Sequence, residues 1–268
     1  MGRLREKGVL VYPVYSRRSG GLSVGINLFP DQKHCPFDCP YCEVFPFSTD
    51  SVFSLEQMER DLRAVLDSAK ERSEIVKDIC FSGNGEPSLS PDFPDALKLV
   101  ARIRDEAVQS AALVLITNGM GLLELNTFSL LRDAVASPPS LDVWLKLDAG
   151  TPDWYHKING RAVTHEKLIA KIKEFVDCTP VTIQTMLCTV GGVEPPGDEA
   201  LAWERLVVEL GQGGNVRKVQ IYGKARPSPD DPKAEAVPVD HLERRAASLR
   251  MALGSLANRT VPAVEVYP

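Results

Sequence analysis

Three thiols stand within eight residues, Cys35-Pro36-Phe37-Asp38-Cys39-Pro40-Tyr41-Cys42, and this C-x3-C-x2-C spacing can close around one metal centre. An iron–sulfur cubane takes thiolate ligands, usually four from the protein. Three leave one iron open to a substrate or cofactor. A structural zinc ion needs a fourth ligand, and His34 beside Cys35 is the nearest candidate. A disulfide framework suits a small secreted chain, whereas this one has 268 residues and no signal peptide is read at its start. Six cysteines, half of them clustered, point to a reducing compartment, so a cytoplasmic location is expected.

Three further stretches carry polar groups where ligands bind. Gly83-Asn84-Gly85-Glu86-Pro87 offers backbone that can approach a bound molecule closely. Thr117-Asn118-Gly119 and Lys146-Leu147-Asp148-Ala149-Gly150 also fall at expected strand ends. Ligand sites of parallel α/β folds lie at the carboxyl ends of strands.

The elements that must position these residues follow from periodicity and turn signals. Strands are expected at Ser23–Phe29, Ile75–Ser82, Ala112–Thr117, Leu141–Asp148, Val181–Cys188 and Val216–Tyr222. Helices are expected at Ser54–Arg72, Pro94–Gln109, Asn126–Val135, Thr164–Val176, Glu199–Leu210 and Val239 to about Leu256. Ser54-Leu55-Glu56-Gln57 reads as a capping box. Ala225 to Pro238 reads as a Pro-rich loop and Val261 to Val266 as a short apolar tail. Alternating strands and helices mean a parallel sheet wound by right-handed crossovers. One face of each strand is apolar and the other polar: Val143, Leu145 and Leu147 oppose Trp144, Lys146 and Asp148. Both faces of an ordinary parallel sheet are apolar, so the polar faces are expected to share a lumen. The expected fold is therefore α/β: a partial (β/α)6 barrel of parallel strands with an open lumen, one domain over residues 1–268. Its core covers about 20–225, and a C-terminal helix and tail cover 238–268. Lys146 in such a lumen is paired with Asp148, sits at a frayed strand end, or is in contact with a ligand.

The net charge of −5 disfavours sequence-independent nucleic-acid binding, which relies on Lys and Arg neutralising phosphates. Arg3, Arg5, Lys7, Arg17 and Arg18 make the start of the chain locally cationic. Arg17, Arg18, Lys146 and Arg226 are candidates to meet a carboxylate or phosphate. Trp154, Tyr155 and His156 read as a loop, either packed on its own barrel or stacking on a base or peptide side chain. His165 and His241 read as surface residues of helices. No apolar run is long enough to span a bilayer, so no membrane association is expected.

The cysteine loop, with Tyr41 just before its last thiol, resembles that of the radical S-adenosylmethionine (radical SAM) enzymes, and Gly83-Asn84-Gly85-Glu86-Pro87 resembles that family's Gly-Gly-Glu-Pro signature. Ser16-Arg17-Arg18, Ser23-Val24-Gly25-Ile26-Asn27, Glu43, Lys146-Leu147-Asp148-Ala149 and Ala225-Arg226-Pro227 are similar to the branch that includes the tRNA wyosine-synthesis enzymes and their uncharacterised relatives. The resemblance implies a 4Fe-4S cluster on Cys35, Cys39 and Cys42 whose open iron binds SAM. It implies SAM contacts from Tyr41, Gly83, Asn84, Gly85, Glu86, Asn118, Lys146 and Asp148, with Gln184 and Tyr222 as ribose and adenine candidates. It also implies reductive cleavage of SAM to a 5′-deoxyadenosyl radical that abstracts hydrogen from a small molecule, nucleoside or peptide. The electron would come from a donor such as flavodoxin or ferredoxin. The wyosine enzymes carry a second cluster on earlier cysteines; none precedes Cys35 here, and Cys80, Cys178 and Cys188 read as isolated core residues, so no second cluster is expected. Two other readings stay open: an activating enzyme that installs a glycyl radical on a partner protein, and a non-catalytic zinc or electron-transfer module.

Overall fold

Apolar residues recur at alternate positions in Gly21–Ile26 and every third or fourth in Leu55–Glu71, and each stretch folds into the element its period suits. The computed structural model describes residues 8–137, 140–255 and 261–268. Arg3, Arg5 and Lys7 of the cationic segment, and Leu256 at the expected end of the last helix, lie outside them. The chain divides into two compact units, one of Met1–Cys35 and Pro46–Val143, the other of Pro36–Phe45 and Trp144–Pro268.

In the first unit β1 (Val11–Ser16) and β2 (Gly21–Ile26) form an antiparallel hairpin. Parallel pairing continues from β2 to β3 (Val76–Phe81) and β4 (Ala112–Thr117). Crossover helices α1 (Leu55–Glu71) and α2 (Phe93–Ala107) join these strands, and α3 (Leu125–Ala136) follows β4. Of the expected capping box the N-cap half forms: Ser54 Oγ accepts from Gln57 N at 3.3 Å, while the Gln57 side chain bonds Asp61 and Arg60 instead. Met58, Leu62 and Leu66 of α1 and Val100 and Ile103 of α2 are buried, as are Ile79, Phe81, Leu113 and Leu115 of the strands. Phe81 and Phe93 meet edge to face at 5.3 Å, worth about 0.5–1.5 kcal/mol beyond the area buried. The opposite strand face is polar and internally bonded. Ser23 donates to Asp78, and the Tyr12 and Ser82 hydroxyls are 2.8 Å apart.

β5 (Leu141–Lys146) carries the chain from the first unit into the second. There β6 (Val181–Leu187), β7 (Val216–Gly223) and β8 (Ala263–Tyr267) run parallel. Helices α4 (Pro152–Ile158), α5 (His165–Cys178), α6 (Gly197–Gly211) and α7 (Val239–Gly254) belong to this unit. Thr185 is a polar residue turned toward α6, and it is satisfied there: it donates to Leu147 O at 2.8 Å and accepts from Trp203 Nε1 at 3.2 Å. Among the described residues no helix is long and apolar enough to cross a membrane.

The expected helices and strands form, with two strands added. Pro13 and the flanking hydroxyls hide the alternation of β1, and a proline is tolerated because β1 is the edge strand. The apolar tail becomes β8 because β7 offers it an open edge, and Arg250 Nη2 of α7 holds Val264 O at 2.7 Å. The Trp154-Tyr155-His156 loop is instead α4. Thr151 Oγ1 accepts from Trp154 N at 3.3 Å, and Pro152 opens the first turn. Cys80 and Cys188 are buried as expected, but Cys178 is exposed at the end of α5.

His165 is buried, not a surface residue. It opens α5, with Nε2 3.4 Å from Ala149 O and its ring 5.4 Å from that of Tyr155. Burial holds its pKa below the usual imidazole value. A depressed folded-state pKa makes a contribution that is complete above the unfolded value, about 6.5, and lost as pH falls through the folded value. Acidification below pH 6.5 is therefore expected to lower the urea midpoint, and His165→Gln is expected to flatten that part of the curve. Parallel curves would remove His165 from this account. His241 is half-buried and lies 2.8 Å from Glu194.

Candidate functional site

In the first unit the path from β2 to Cys35 is zipped to the loop after β3. Asn27 Oδ1 accepts from Asn84 N at 3.1 Å, and Asn84 Nδ2 donates to Phe29 O at 3.1 Å. His34 N donates to Asn84 O at 2.9 Å, and Glu86 N donates to His34 O at 2.8 Å. Two glycines are required here. A Cβ on Gly85 would stand 2.1 Å from His34 O, and Gly83 adopts φ +146° with Asn27 against it.

Glu86 is a hub of the first unit. It is 2% exposed, and Oε1 accepts from Ser88 N, Ser88 Oγ and Thr117 Oγ1 at 3.2, 2.6 and 2.7 Å. Oε2 accepts from Asn118 N at 2.7 Å. Burial raises the Glu86 pKa against the opposing pull of these bonds. Asn118 in turn accepts from Met120 N on Oδ1 and donates from Nδ2 to Cys35 Sγ at 3.4 Å. The first unit thus brings Gly83, Asn84, Gly85, Glu86 and Asn118 together with Cys35. Both Glu86 oxygens already serve protein donors. Glu86→Gln, which turns an acceptor into an amide donor, is expected to cost about 1–3 kcal/mol in urea unfolding. A loss under about 0.5 kcal/mol would show that the network relaxes without it.

The second unit holds the rest of the cysteine loop. Cys42 N donates to Cys39 O at 3.0 Å, closing a turn. Tyr41 is buried, and its hydroxyl donates to Asp148. Burial, and then the Asp148 charge, raise its pKa well above the phenol range. Asp148 also accepts from Met186 N at 2.8 Å and Asn159 Nδ2 at 3.3 Å, and pairs with Lys146 Nζ at 3.2 Å. The expected Lys146–Asp148 pair is thus formed. Burial works against the ammonium, but Asp148 and then Tyr222 hold its pKa above the ordinary lysine value. Nζ donates to Tyr222 Oη and lies 4.8 and 5.0 Å from the Tyr41 and Tyr222 ring centres. The polar strand faces of this unit converge as expected, since Gln184 Nε2 also donates to Gln220 Oε1 at 2.7 Å with both residues fully buried.

Asn159, which the sequence did not single out, clamps the loop. Its carbonyl accepts from Asp38 N at 3.0 Å, and its Nδ2 donates to Cys39 Sγ at 3.4 Å. Burial, and then Asp148, push the Cys39 thiol up to about 11. Arg226 reaches the same loop, donating to Glu43 at 2.8 Å. Trp154 and Tyr155 are buried, and the Tyr155 ring packs edge-on against Phe37 at 5.8 Å, so neither is open to stack on a substrate. Glu199, also missed, is buried and accepts from Gly150 N, Thr151 N and Thr151 Oγ1, which fixes the turn after β5. Nothing local in the sequence marks Asn159 or Glu199; each is a polar residue at an ordinary helix boundary.

Arg17 and Arg18 lie in the turn before β2, whereas the cysteine loop leaves its far end. Six extended residues separate the two ends, a span of roughly 20 Å. The structure therefore does not bring these arginines together with Cys35. The His34 ring lies tilted against that of Phe29, with centres 5.1 Å apart. Among the described residues no three His, Cys, Asp or Glu side chains converge on one point as a single ion requires. A cubane makes no such demand, because each of its thiolates takes a different iron. None of the three loop cysteines is in a disulfide and all are partly exposed, which suits it.

The model of the radical SAM superfamily matches residues 30–201, well over half of the chain and all three loop cysteines. The chain belongs to the radical SAM superfamily. Among curated proteins, a UPF0026 protein of Helicobacter pylori is 28% identical over 102 residues, 37% of this chain and 32% of that protein. The match thus spans about a third of the length of that relative. Among solved structures, a radical SAM methyltransferase from Sphaerobacter thermophilus superposes with a TM-score of 0.67 at 18% identity, over 96% of this chain and 69% of that one. SuiB from Streptococcus suis, bound to S-adenosylmethionine, gives 0.63 at 14% identity over 88% and 48%. These likenesses show the fold: α/β, with mostly parallel strands, of the partial-barrel class found in radical SAM enzymes. The finer similarity to the wyosine branch rests on the motifs alone.

Proposed function

We propose that Cys35, Cys39 and Cys42 hold a 4Fe-4S cluster with one iron left for SAM, and that the chain is a radical SAM enzyme abstracting hydrogen from a small molecule, nucleoside or peptide. The observation that carries this reading is the superfamily match over residues 30–201, which takes in the three cysteines of one loop, none of them in a disulfide. The chemistry such a cluster supplies when bound is one-electron cleavage of SAM to methionine and a 5′-deoxyadenosyl radical.

This chain's residues hold and orient. Gly83, Asn84 and Gly85 present backbone to the ligand, and Glu86 shapes that backbone while keeping a negative charge near the SAM amino group. Lys146 offers a cation, Gln184 and Tyr222 offer hydrogen-bonding groups for ribose and adenine, and Tyr41 supports the loop through Asp148. Arg226 is the remaining candidate for an anionic substrate group, in exchange with Glu43. The electron donor would be a flavodoxin- or ferredoxin-class protein.

Anaerobic reconstitution with iron and sulfide, followed by SAM and dithionite, tests the reading. Broad charge-transfer absorption, an EPR signal altered by SAM, and reductant-dependent 5′-deoxyadenosine are expected. Tightly bound zinc in oxygen-protected material, or no 5′-deoxyadenosine from an iron-loaded protein, would overturn it.

A further inference from the structure

Two asparagine side chains meet two of the loop thiols, one within each unit. Asn118 Nδ2 lies 3.4 Å from Cys35 Sγ, and Asn159 Nδ2 lies 3.4 Å from Cys39 Sγ. Both residues are buried, at 7% and 4% exposure, and both are fixed by other bonds. Asn118 Oδ1 accepts from Met120 N at 3.0 Å, while its backbone N–H is held by Glu86. The second amide hydrogen of Asn159 is directed at Asp148 at 3.3 Å, and its carbonyl accepts from Asp38 N. Neither amide can turn away without breaking a buried contact. Each thiol is therefore supplied with a preset N–H donor.

A thiolate ligand gains negative charge when a cluster accepts an electron, so a fixed N–H donor stabilises the reduced form more than the oxidised one. Hydrogen bonds to cluster sulfurs are among the levers that set iron–sulfur potentials. We propose that Asn118 and Asn159 are positioning residues that raise the reduction potential of the cluster through N–H···S bonds to Cys35 and Cys39. The inference rests on the cluster assignment above. The step is one electron from a reductant onto the cluster; the amide hydrogens stay on nitrogen and no proton moves.

The test uses the full chain as wild type, Asn118→Leu and Asn159→Leu, each reconstituted anaerobically and titrated with dithionite under EPR, without SAM. Leucine keeps the volume and removes the donor. Each variant is expected to load iron and sulfide to the wild-type ratio. Each is expected to show an oxidised-to-reduced ratio about tenfold higher at the wild-type midpoint, equal to a downward shift of about 59 mV for a one-electron couple. Variants that load fully and titrate at the wild-type midpoint overturn the inference while leaving the cluster assignment standing. Variants that lose iron in step with stability, the remaining clusters titrating as wild type, reduce both residues to anchors and also overturn it. A wild-type protein that takes up no cluster overturns the assignment itself, and this inference with it. Should the leucine variants fail to fold, pulsed EPR on reduced wild type carrying 15N in its asparagine side chains decides the matter. A hyperfine coupling to that nitrogen is expected, and its absence overturns the inference.

Discussion

Cys39→Ala, purified and reconstituted without oxygen, is expected to retain less than about a tenth of the wild-type iron and to form no 5′-deoxyadenosine. The reason is stoichiometric. Three protein thiolates are already one short of the usual four, and removing another leaves half of a cubane without a protein ligand. The fold should survive, because Cys39 is only partly buried and its loop stays pinned by Tyr41 on Asp148 and by Asp38 on Asn159. A change in urea stability within about 1 kcal/mol is expected. Iron content near wild type would mean that the three cysteines do not form one ligand set, and the proposed function would fail with them.

Asp148→Ala is expected to be the most destabilising single substitution near the site, by about 3–5 kcal/mol in urea unfolding. Four groups address this one carboxylate: the Tyr41 hydroxyl, Asn159 Nδ2, Met186 N and the Lys146 ammonium. The Asp148 side chain is 1% exposed and that of Lys146 is 15% exposed, so water cannot readily replace the lost partner. What remains is an uncompensated cation in a low-dielectric site, which costs more than the pair itself contributes. The companion double variant Lys146→Met/Asp148→Leu is therefore expected to recover much of the loss. A drop below about 1 kcal/mol for Asp148→Ala would show that Lys146 is hydrated and that the pair contributes little.

These outcomes separate what local pattern encodes from what it does not. The α1 cap at Ser54, the bounds of β4 and α7's start at Val239 were legible because each depends on neighbours within a few residues. So were the Cys35–Cys42 spacing and the glycines at 83 and 85, since ligand spacing and backbone freedom are properties of the chain itself. The polar strand faces were legible too. The Gln184–Gln220 and Lys146–Tyr222 bonds are the convergence that alternation requires once one face must be apolar.

What alternation cannot state is which polar residue meets which. Glu86 and Asn118 are 32 positions apart, Asn159 and Cys39 are 120 apart, and Tyr41 and Asp148 are 107 apart. Hydrogen bonds of that kind depend on strand register and loop path, and they leave no periodic trace. For the same reason β1 and β8 could be recognised only once β2 and β7 were in place to pair with them. The sequence by itself determined the spacing of the three loop cysteines and the α/β class. Tertiary structure alone decided that Glu86 and Asp148 serve as hubs, that Lys146 is paired, and that two asparagines meet two of the thiols.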